Sequence, residues 1–287
     1  MIGFRPQMRE WVTPHGRRIR LGERTLVMGV LNVTPDSFSD GGLYMEVEAA
    51  VARARQMVAE GADLIDIGGE STRPGSTPVS LEEELRRVLP VVEAVRKELP
   101  EVPISIDTYK AETARRALRL GADIVNDVWG LKADPEMAGV VASFGCPVVI
   151  MHNRSRAVYE RDIMEEIIAD LNDSLALAFS AGVRRDRIAL DPGIGFGKEN
   201  EHSLEVMRRL GELCALGYPV LLGTSRKRFI RHTLGLPPDD VVEGTAATVA
   251  LGIAQGCDIV RVHDIRPIVR TVRMTDAVVR LAPLSVC

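Results

Sequence analysis

Eight short runs of apolar, mostly β-branched residues recur along this chain at nearly even spacing, and a stretch able to form a helix follows each. They are TLVMGVLN (25–32), DLIDIGG (63–69), PISIDT (103–108), DIVNDV (123–128), PVVIMHN (147–153), IALDPGI (188–194), PVLLGTS (219–225) and DIVRVHD (258–264). Each is bounded by Gly, Pro, Asn or Asp, as strands are. The runs are continuous rather than alternating, which suits parallel strands covered on both faces. Between them, Val47, Val51, Ala54 and Val58 share a helical face, as do Leu81, Leu85, Val88, Val92 and Val95, and Ile163, Ile167, Leu171 and Leu175. Ser80 with Glu83 reads as a capping box, and Pro90 is expected to kink the following helix or end its first half. Gly61, Gly121, Gly145, Gly182, Gly217 and Gly256 each stand just before a strand, where a glycine closes the preceding helix in the left-handed conformation. Eight βα units predict a single-domain (β/α)8 TIM barrel over 25–287, with a doubly wound open sheet as the alternative. Residues 1–24 are expected to form a short hairpin plugging the barrel bottom.

The 287 residues fit one barrel of this kind. A charged fraction of 26% and a mean hydropathy of +0.04 exclude a disordered or membrane-spanning chain. The longest stretch free of Asp, Glu, Lys and Arg runs from Met137 to Asn153 and is broken by Gly145 and Pro147. A net charge of −4 with 4% aromatic residues argues against nucleic acid as partner. The four cysteines show no metal-ligand or redox spacing, and no secretory signal opens the chain. The reading is a cytoplasmic protein. Only five of the 36 basic residues are lysines, so a lysine in a special context, such as Lys227 of TSRKRF at the start of the seventh helix, stands out.

In a barrel, ligands bind at the C-terminal ends of the strands. Those ends carry Asn32, Asp66 with Gly68 and Gly69, Asp107, Asn126, His152, Asp191, Ser225 with Lys227, and Arg261 with His263. One such residue is more often a turn former than a site, but a full ring of them is not. Arg261 and His263, two apart, share a face and could cradle phosphate oxygens; the alternative is that Arg261 pairs with a barrel carboxylate such as Asp66. DPGIGFGK (191–198) lacks the spacing of a nucleotide P-loop. Its glycines let backbone approach a flat ligand, and Asp191 offers two acceptors to an amidine-like N–H edge; Phe196 either packs beside that ligand or serves the core. The polar loops NVTPDSFSDGG and ESTRPGSTPVS, after the first two strands, lie where lids belong.

Taken together, VTPDSFSDGG, DIGGESTRPG, ISIDTYK, VNDVWG, MHNR, DPGIGFGK, TSRK and VRVHD resemble the dihydropteroate synthases, pterin-binding barrel enzymes of the folate pathway. The likeness runs in order through 25–265, one motif per strand end. It implies condensation of a 7,8-dihydropterin-6-ylmethyl diphosphate with 4-aminobenzoate, with Mg²⁺ as cofactor. It implies that Asp107, Asn126, Asp191 and Lys227 hold the pterin, with Met151, Phe196 and Gly223 shaping its slot. Asn32, Arg261 and His263 would hold the diphosphate, Asn32 with the Mg²⁺. Phe38, Ser39, Thr72, Arg73 and Pro74 would build the aminobenzoate site. The resemblance makes Asp107, Asp191, Lys227 and Arg261 the catalytic set. Serine often follows the lysine of the SRK motif, whereas Arg228 follows it here. Arg228 then either binds the aminobenzoate carboxylate or points to solvent and leaves the helix N-terminus to do so. The family also implies a homodimer; the stripe Ile268, Val269, Val272 and Val279 would serve that contact or pack on the barrel. The rivals are a pterin-binding methyltransferase barrel, which needs no diphosphate cradle, and a barrel that binds pterin without catalysis.

Overall fold

The polypeptide was analysed as a computed structural model, which describes residues 7–33, 42–71 and 77–280. The continuous apolar runs form the strands β3 (Leu26–Asn32), β4 (Leu64–Gly68), β5 (Ile104–Asp107), β6 (Ile124–Asp127), β7 (Val148–Met151), β8 (Ile188–Asp191), β9 (Leu221–Leu222) and β10 (Ile259–Val262). They make one sheet in the order β8-β7-β6-β5-β4-β3-β10-β9, with every pairing parallel. β9 is shorter than its apolar run, yet the sheet still closes. Leu190 bridges Val220 in parallel, and the Leu190 N–H donates to the Pro219 carbonyl at 2.9 Å. Closure excludes the open doubly wound sheet.

Ahead of the barrel, β1 (Arg9–Val12) and β2 (Arg18–Leu21) pair antiparallel as the expected hairpin. The first five units carry α1 (Gly42–Ala59), α2 (Leu81–Glu98), α3 (Ala111–Arg119), α4 (Met137–Phe144) and α5 (Ile163–Ser180). The sixth and seventh carry two helices each, α6 (Asn200–Arg208) with α7 (Leu210–Cys214) and α8 (Arg228–Leu234) with α9 (Val242–Gln255). The last is α10 (Ile265–Val279). All six junction glycines have positive φ, from 60° at Gly145 to 112° at Gly121. Among the described residues no helix is long and apolar enough to cross a membrane.

Two readings need correction. Pro90 does not end its helix, because α2 runs unbroken through it; its second half is anchored by its own buried stripe, Val91, Val92 and Val95. Leu81 and Leu85 are not part of that stripe, and Leu81 is exposed. Ser80 caps α2 as expected, accepting from the Glu83 N–H at 3.2 Å, while the Glu83 carboxylate turns to Arg86 and Arg87. On α10, Ile268, Val269 and Val272 are buried against the barrel, which settles the use of that stripe.

The period of two along a strand sorts the side chains. Outward residues such as Ile65, Ile106, Val125, Ile150 and Leu190 pack with the helices in the larger core. Inward residues at the strand starts, among them Leu26, Met28, Leu64, Ile124, Val149, Ala189, Leu221 and Ile259, form a second core, shared with Trp11, Ile19 and Leu21 of the hairpin. The hairpin therefore closes the barrel bottom with a fully buried Trp11. Two residues further along β4, β6, β8 and β10, the inward face turns polar.

Candidate active site

That turn from apolar to polar places the site. Leu64 gives way to Asp66, Ile124 to Asn126, Ala189 to Asp191 and Ile259 to Arg261; Asp107 follows the polar Ser105 and Met151 the apolar Val149, all at the C-terminal rim. Asp66, Asp107, Asn126, Met151 and Asp191 are buried. Gly223 follows β9 beside Arg261, where a Cβ would lie 3.9 Å from the Arg261 Cβ.

Arg261 is the hub. Its Nε donates to Asp66 Oδ2 and its Nη2 to Asp107 Oδ2, both at 2.6 Å. The amide of Asn126 donates to the same Asp66 oxygen at 3.1 Å. The alternative left open by the sequence, a barrel carboxylate as partner of Arg261, is thus realised twice over. The second oxygens, Asp66 Oδ1 and Asp107 Oδ1, are buried and have no hydrogen-bond partner among the described residues, nor has Ser105 Oγ. Burial raises Asp107 against the pull of Arg261, with Asp66 adding like-charge repulsion. The guanidinium itself is held above its ordinary value: burial opposes its charge, and Asp66 and Asp107 outweigh burial.

Asp191 forms a second acidic pole. Its Oδ1 accepts from the Gly193 N–H at 2.7 Å, and burial pushes its carboxyl up to about 6. The glycine loop that follows brings Phe196 under Lys227, whose Nζ lies 3.9 Å from the ring centroid. The residue before Lys227 is Arg226, a non-glycine residue at φ 59° whose guanidinium is clamped by Asp264. Such a strained position persists only where the surroundings fix it, and these cluster at functional sites.

Some expected residues fall elsewhere. His263 lies one residue beyond β10, and its Nδ1 is 3.0 Å from Ser225 Oγ. Arg228, 58% exposed, pairs with Glu199 rather than entering the buried ring. Asn32 ends β3 half-buried, in register with Gly68. Phe38, Ser39, Thr72, Arg73 and Pro74 lie outside the described residues. Sequence reading underrated Asp66 and passed over Ser105 and Arg226. Stepping back by two from Asp107 would have found Ser105 on the inward face; nothing in the sequence marks Arg226.

For a metal, the donor set is sparse. Among the described residues no group of three His, Cys, Asp or Glu side chains could hold an ion. A single amide oxygen from Asn32 does not make a resident Mg²⁺ site, but it suits an ion that arrives on phosphate oxygens and keeps several waters.

Comparison with known proteins agrees with this geometry. Residues 28–263 match the family described as pterin binding enzyme. The dihydropteroate synthase of Bacillus subtilis (strain 168) is 55% identical over 255 residues, covering 89% of each chain. The Clostridium difficile dihydropteroate synthase structure, determined in the presence of pteroic acid, has a TM-score of 0.89 at 53% identity, covering 91% of this chain and 98% of that one. The Xanthomonas albilineans dihydropteroate synthase with 4-aminobenzoic acid also reaches 0.89, at 42% identity, covering 95% and 98%. A closed barrel with a polar ring at its C-terminal rim, matched along nearly its whole length, places this chain among the dihydropteroate synthases, transferases of the pterin-binding enzyme family.

Proposed function

We propose that this enzyme joins 7,8-dihydropterin-6-ylmethyl diphosphate to 4-aminobenzoate, giving 7,8-dihydropteroate and pyrophosphate. The observation that carries the reading is the pair of partnerless buried acceptors, Asp66 Oδ1 and Asp107 Oδ1, at the mouth of a closed barrel. Buried polar atoms are rarely left unpaired, so these call for a ligand rich in N–H donors. A pterin edge is such a ligand, and Asp191 offers it further acceptors. The methyltransferase barrel and the non-catalytic pterin binder are less well supported, given relatives this similar along their whole length.

Reaction begins with cleavage of the C–O bond, whose electron pair leaves with pyrophosphate. The pterin methylene is left as a delocalised cation, which the carboxylates of Asp107 and Asp191 stabilise in a water-poor site. The arylamine lone pair then forms the C–N bond, and the nitrogen releases one proton. An arylamine is unprotonated at neutral pH, so no strong general base is needed. Among the described residues no acceptor takes a hydrogen bond from Arg261 Nη1, which leaves that group to face the diphosphate. Mg²⁺ carried by the diphosphate, with Asn32 as its protein ligand, would neutralise charge on the leaving group. His263 would add a further contact to the diphosphate, with its Nδ1 side turned to Ser225.

Pyrophosphate release from the two substrates with Mg²⁺ tests the reading. Release coupled one-to-one to dihydropteroate supports it; calorimetric pterin binding without release at any pH or metal concentration overturns it in favour of a binding module. A homodimer would use the face that the barrel leaves exposed on α9 and α10, where Leu251, Met274 and Val278 lie. Sedimentation velocity decides that point.

A further inference from the structure

Lys198 closes the DPGIGFGK segment; among the described residues it makes no hydrogen bond to the ring of acids described above, although it feels the charge of Asp191. It is only 4% exposed. Its Nζ lies 2.7 Å from Nδ1 of His152 and 3.1 Å from the Phe196 carbonyl oxygen. His152, 2% exposed, places its other ring nitrogen 3.1 Å from Asp170 Oδ2. An ammonium has only donors, so Nδ1 must accept, and the imidazole is neutral with its proton on Nε2, donated to Asp170. The rest of the surroundings agree: burial first, then the Lys198 charge, draws His152 down to about 3. Asp170 is held in turn by Arg154, which also bonds Glu166.

The chain Lys198–His152–Asp170 joins two loops. On one side is the 192–198 turn, on the other the segment after β7. They fit closely at two glycines. A Cβ at Gly193 would lie 1.8 Å from the His152 carbonyl oxygen, and one at Gly197 would lie 2.7 Å from that of Arg154. The Tyr159 hydroxyl donates to the Gly197 carbonyl at 2.9 Å, and the His152 N–H to the Asp191 carbonyl at 2.9 Å. Lys198 reaches from the turn to the end of β7, while Phe196 of the same turn meets Lys227 beyond β9.

We propose that Lys198 is a positioning residue: tied to the Phe196 carbonyl and to a neutral His152, it fixes the glycine turn in the shape that lays Phe196 under Lys227 and presents Asp191 to the pterin. This rests on the pterin reading of the site. Burial draws the Lys198 ammonium down to about 7. The neutral amine keeps two N–H groups for the same two acceptors, so the fastening holds on both sides of neutrality.

The test uses the full chain and three variants. Lys198→Met keeps the length and removes the donors, Lys198→Gln restores donors without charge, and His152→Phe removes the acceptor. In Lys198→Met the KM for the pterin diphosphate should rise about tenfold, the scale on which supporting contacts of a site act. The KM for 4-aminobenzoate should stay within about twofold, and Lys198→Gln should recover most of the loss. ¹⁵N NMR of the ligand-free protein should show His152 neutral, protonated on Nε2, near neutral pH. Equal rises in both KM values, no rise in either, or a His152 proton on Nδ1 would overturn the proposal. The NMR result needs no substrate, so it separates this proposal from the pterin reading: a wild-type protein that makes no pteroate defeats the latter alone. If Lys198→Met fails to fold, Lys198→Gln with His152→Phe and the NMR state of wild type still decide.

Discussion

The two ends of the barrel use the same kind of side chain, the aspartate carboxylate, for opposite purposes. At the bottom, Asp63, Asp123 and Asp258 follow the junction glycines, and each accepts a backbone N–H at or near the start of a neighbouring strand: Val27 at 2.8 Å, Ile104 at 3.0 Å and Val220 at 3.1 Å. Each is also faced by arginine: Arg24 at Asp63, Arg17 and Arg96 at Asp123, and Arg280 at Asp258. Three residues later on the same segments stand Asp66, Asn126 and Arg261 of the upper ring, where Asp66 Oδ1 and Asp107 Oδ1 lack partners. The lower acids are satisfied and hold strands in register. The upper acids are left partly unsatisfied, at a cost in stability that a ligand offsets. In a barrel, stability and chemistry are thus divided between the two faces of one sheet.

The sharpest way to break this contrast is Asp191→Asn. Removing one preorganised charge at a reacting centre costs about 10²–10³ in rate, and kcat/KM for the pterin diphosphate should fall on that scale. The melting temperature should match or exceed that of wild type, because a desolvated carboxylate has been removed while Asn Oδ1 can still accept from the Gly193 N–H. A marked loss of melting temperature would show that the upper acids are structural after all.

The mirror experiment is Asp123→Ala at the bottom. It frees the Ile104 N–H and leaves Arg17 and Arg96 without their common partner, with an expected loss of about 3 kcal/mol in denaturant unfolding. The kcat/KM of the folded protein should stay within about twofold. A large kinetic effect with intact stability would erase the division between the ends.

pH separates the two ends more gently. Asp191 titrates at about 6, above the ordinary 3.8, because it is buried. Below that point it takes up a proton and loses acceptor capacity, so kcat/KM should fall about tenfold per pH unit on the acid side. Its effect on stability has the opposite sign. Between pH 3.8 and about 6 the folded state binds the extra proton, so this group's contribution to stability declines as pH rises through that window. Asp191→Asn should remove this residue's share of both trends and leave that of Asp107, which burial also raises; a pH–rate profile beside a pH–stability profile checks them.

How far the sequence reveals this division depends on the kind of contact. Strand number, the junction glycines, the hairpin and the upper ring follow from periodicity and chain order, which are local. Gly61, Gly121 and Gly256 are each followed two residues later by an aspartate, but the N–H groups that Asp63, Asp123 and Asp258 satisfy belong to neighbouring strands, distant in sequence. In Asn126–Asp127 the two residues look alike in the chain. The pleat turns Asn126 inward to Asp66, while Asp127 binds the N–H groups of Trp129 and Leu131 and fixes a loop. Lys198 closes a glycine-rich segment that is plain in the chain, yet its partner His152 comes from another strand end. Pro90 does not end α2, because tertiary packing outweighs local propensity.

The smallest expected effect concerns Arg228, the residue where this chain departs from the family pattern. Its guanidinium is exposed and shared with Glu199, and neither group is buried. Exposed ion pairs contribute about 0–1 kcal/mol, so Arg228→Ala should leave stability nearly unchanged. If the arginine stays with Glu199 during catalysis, the KM for 4-aminobenzoate also stays within about twofold. Raising the salt concentration should then affect wild type and variant alike, since no substrate charge depends on the pair. A KM for 4-aminobenzoate raised about tenfold in Arg228→Ala, with that for the pterin diphosphate unmoved, would mean that the guanidinium leaves Glu199 for the aminobenzoate carboxylate. The functional rim would then extend beyond the buried ring to an exposed arginine on the first turn of α8.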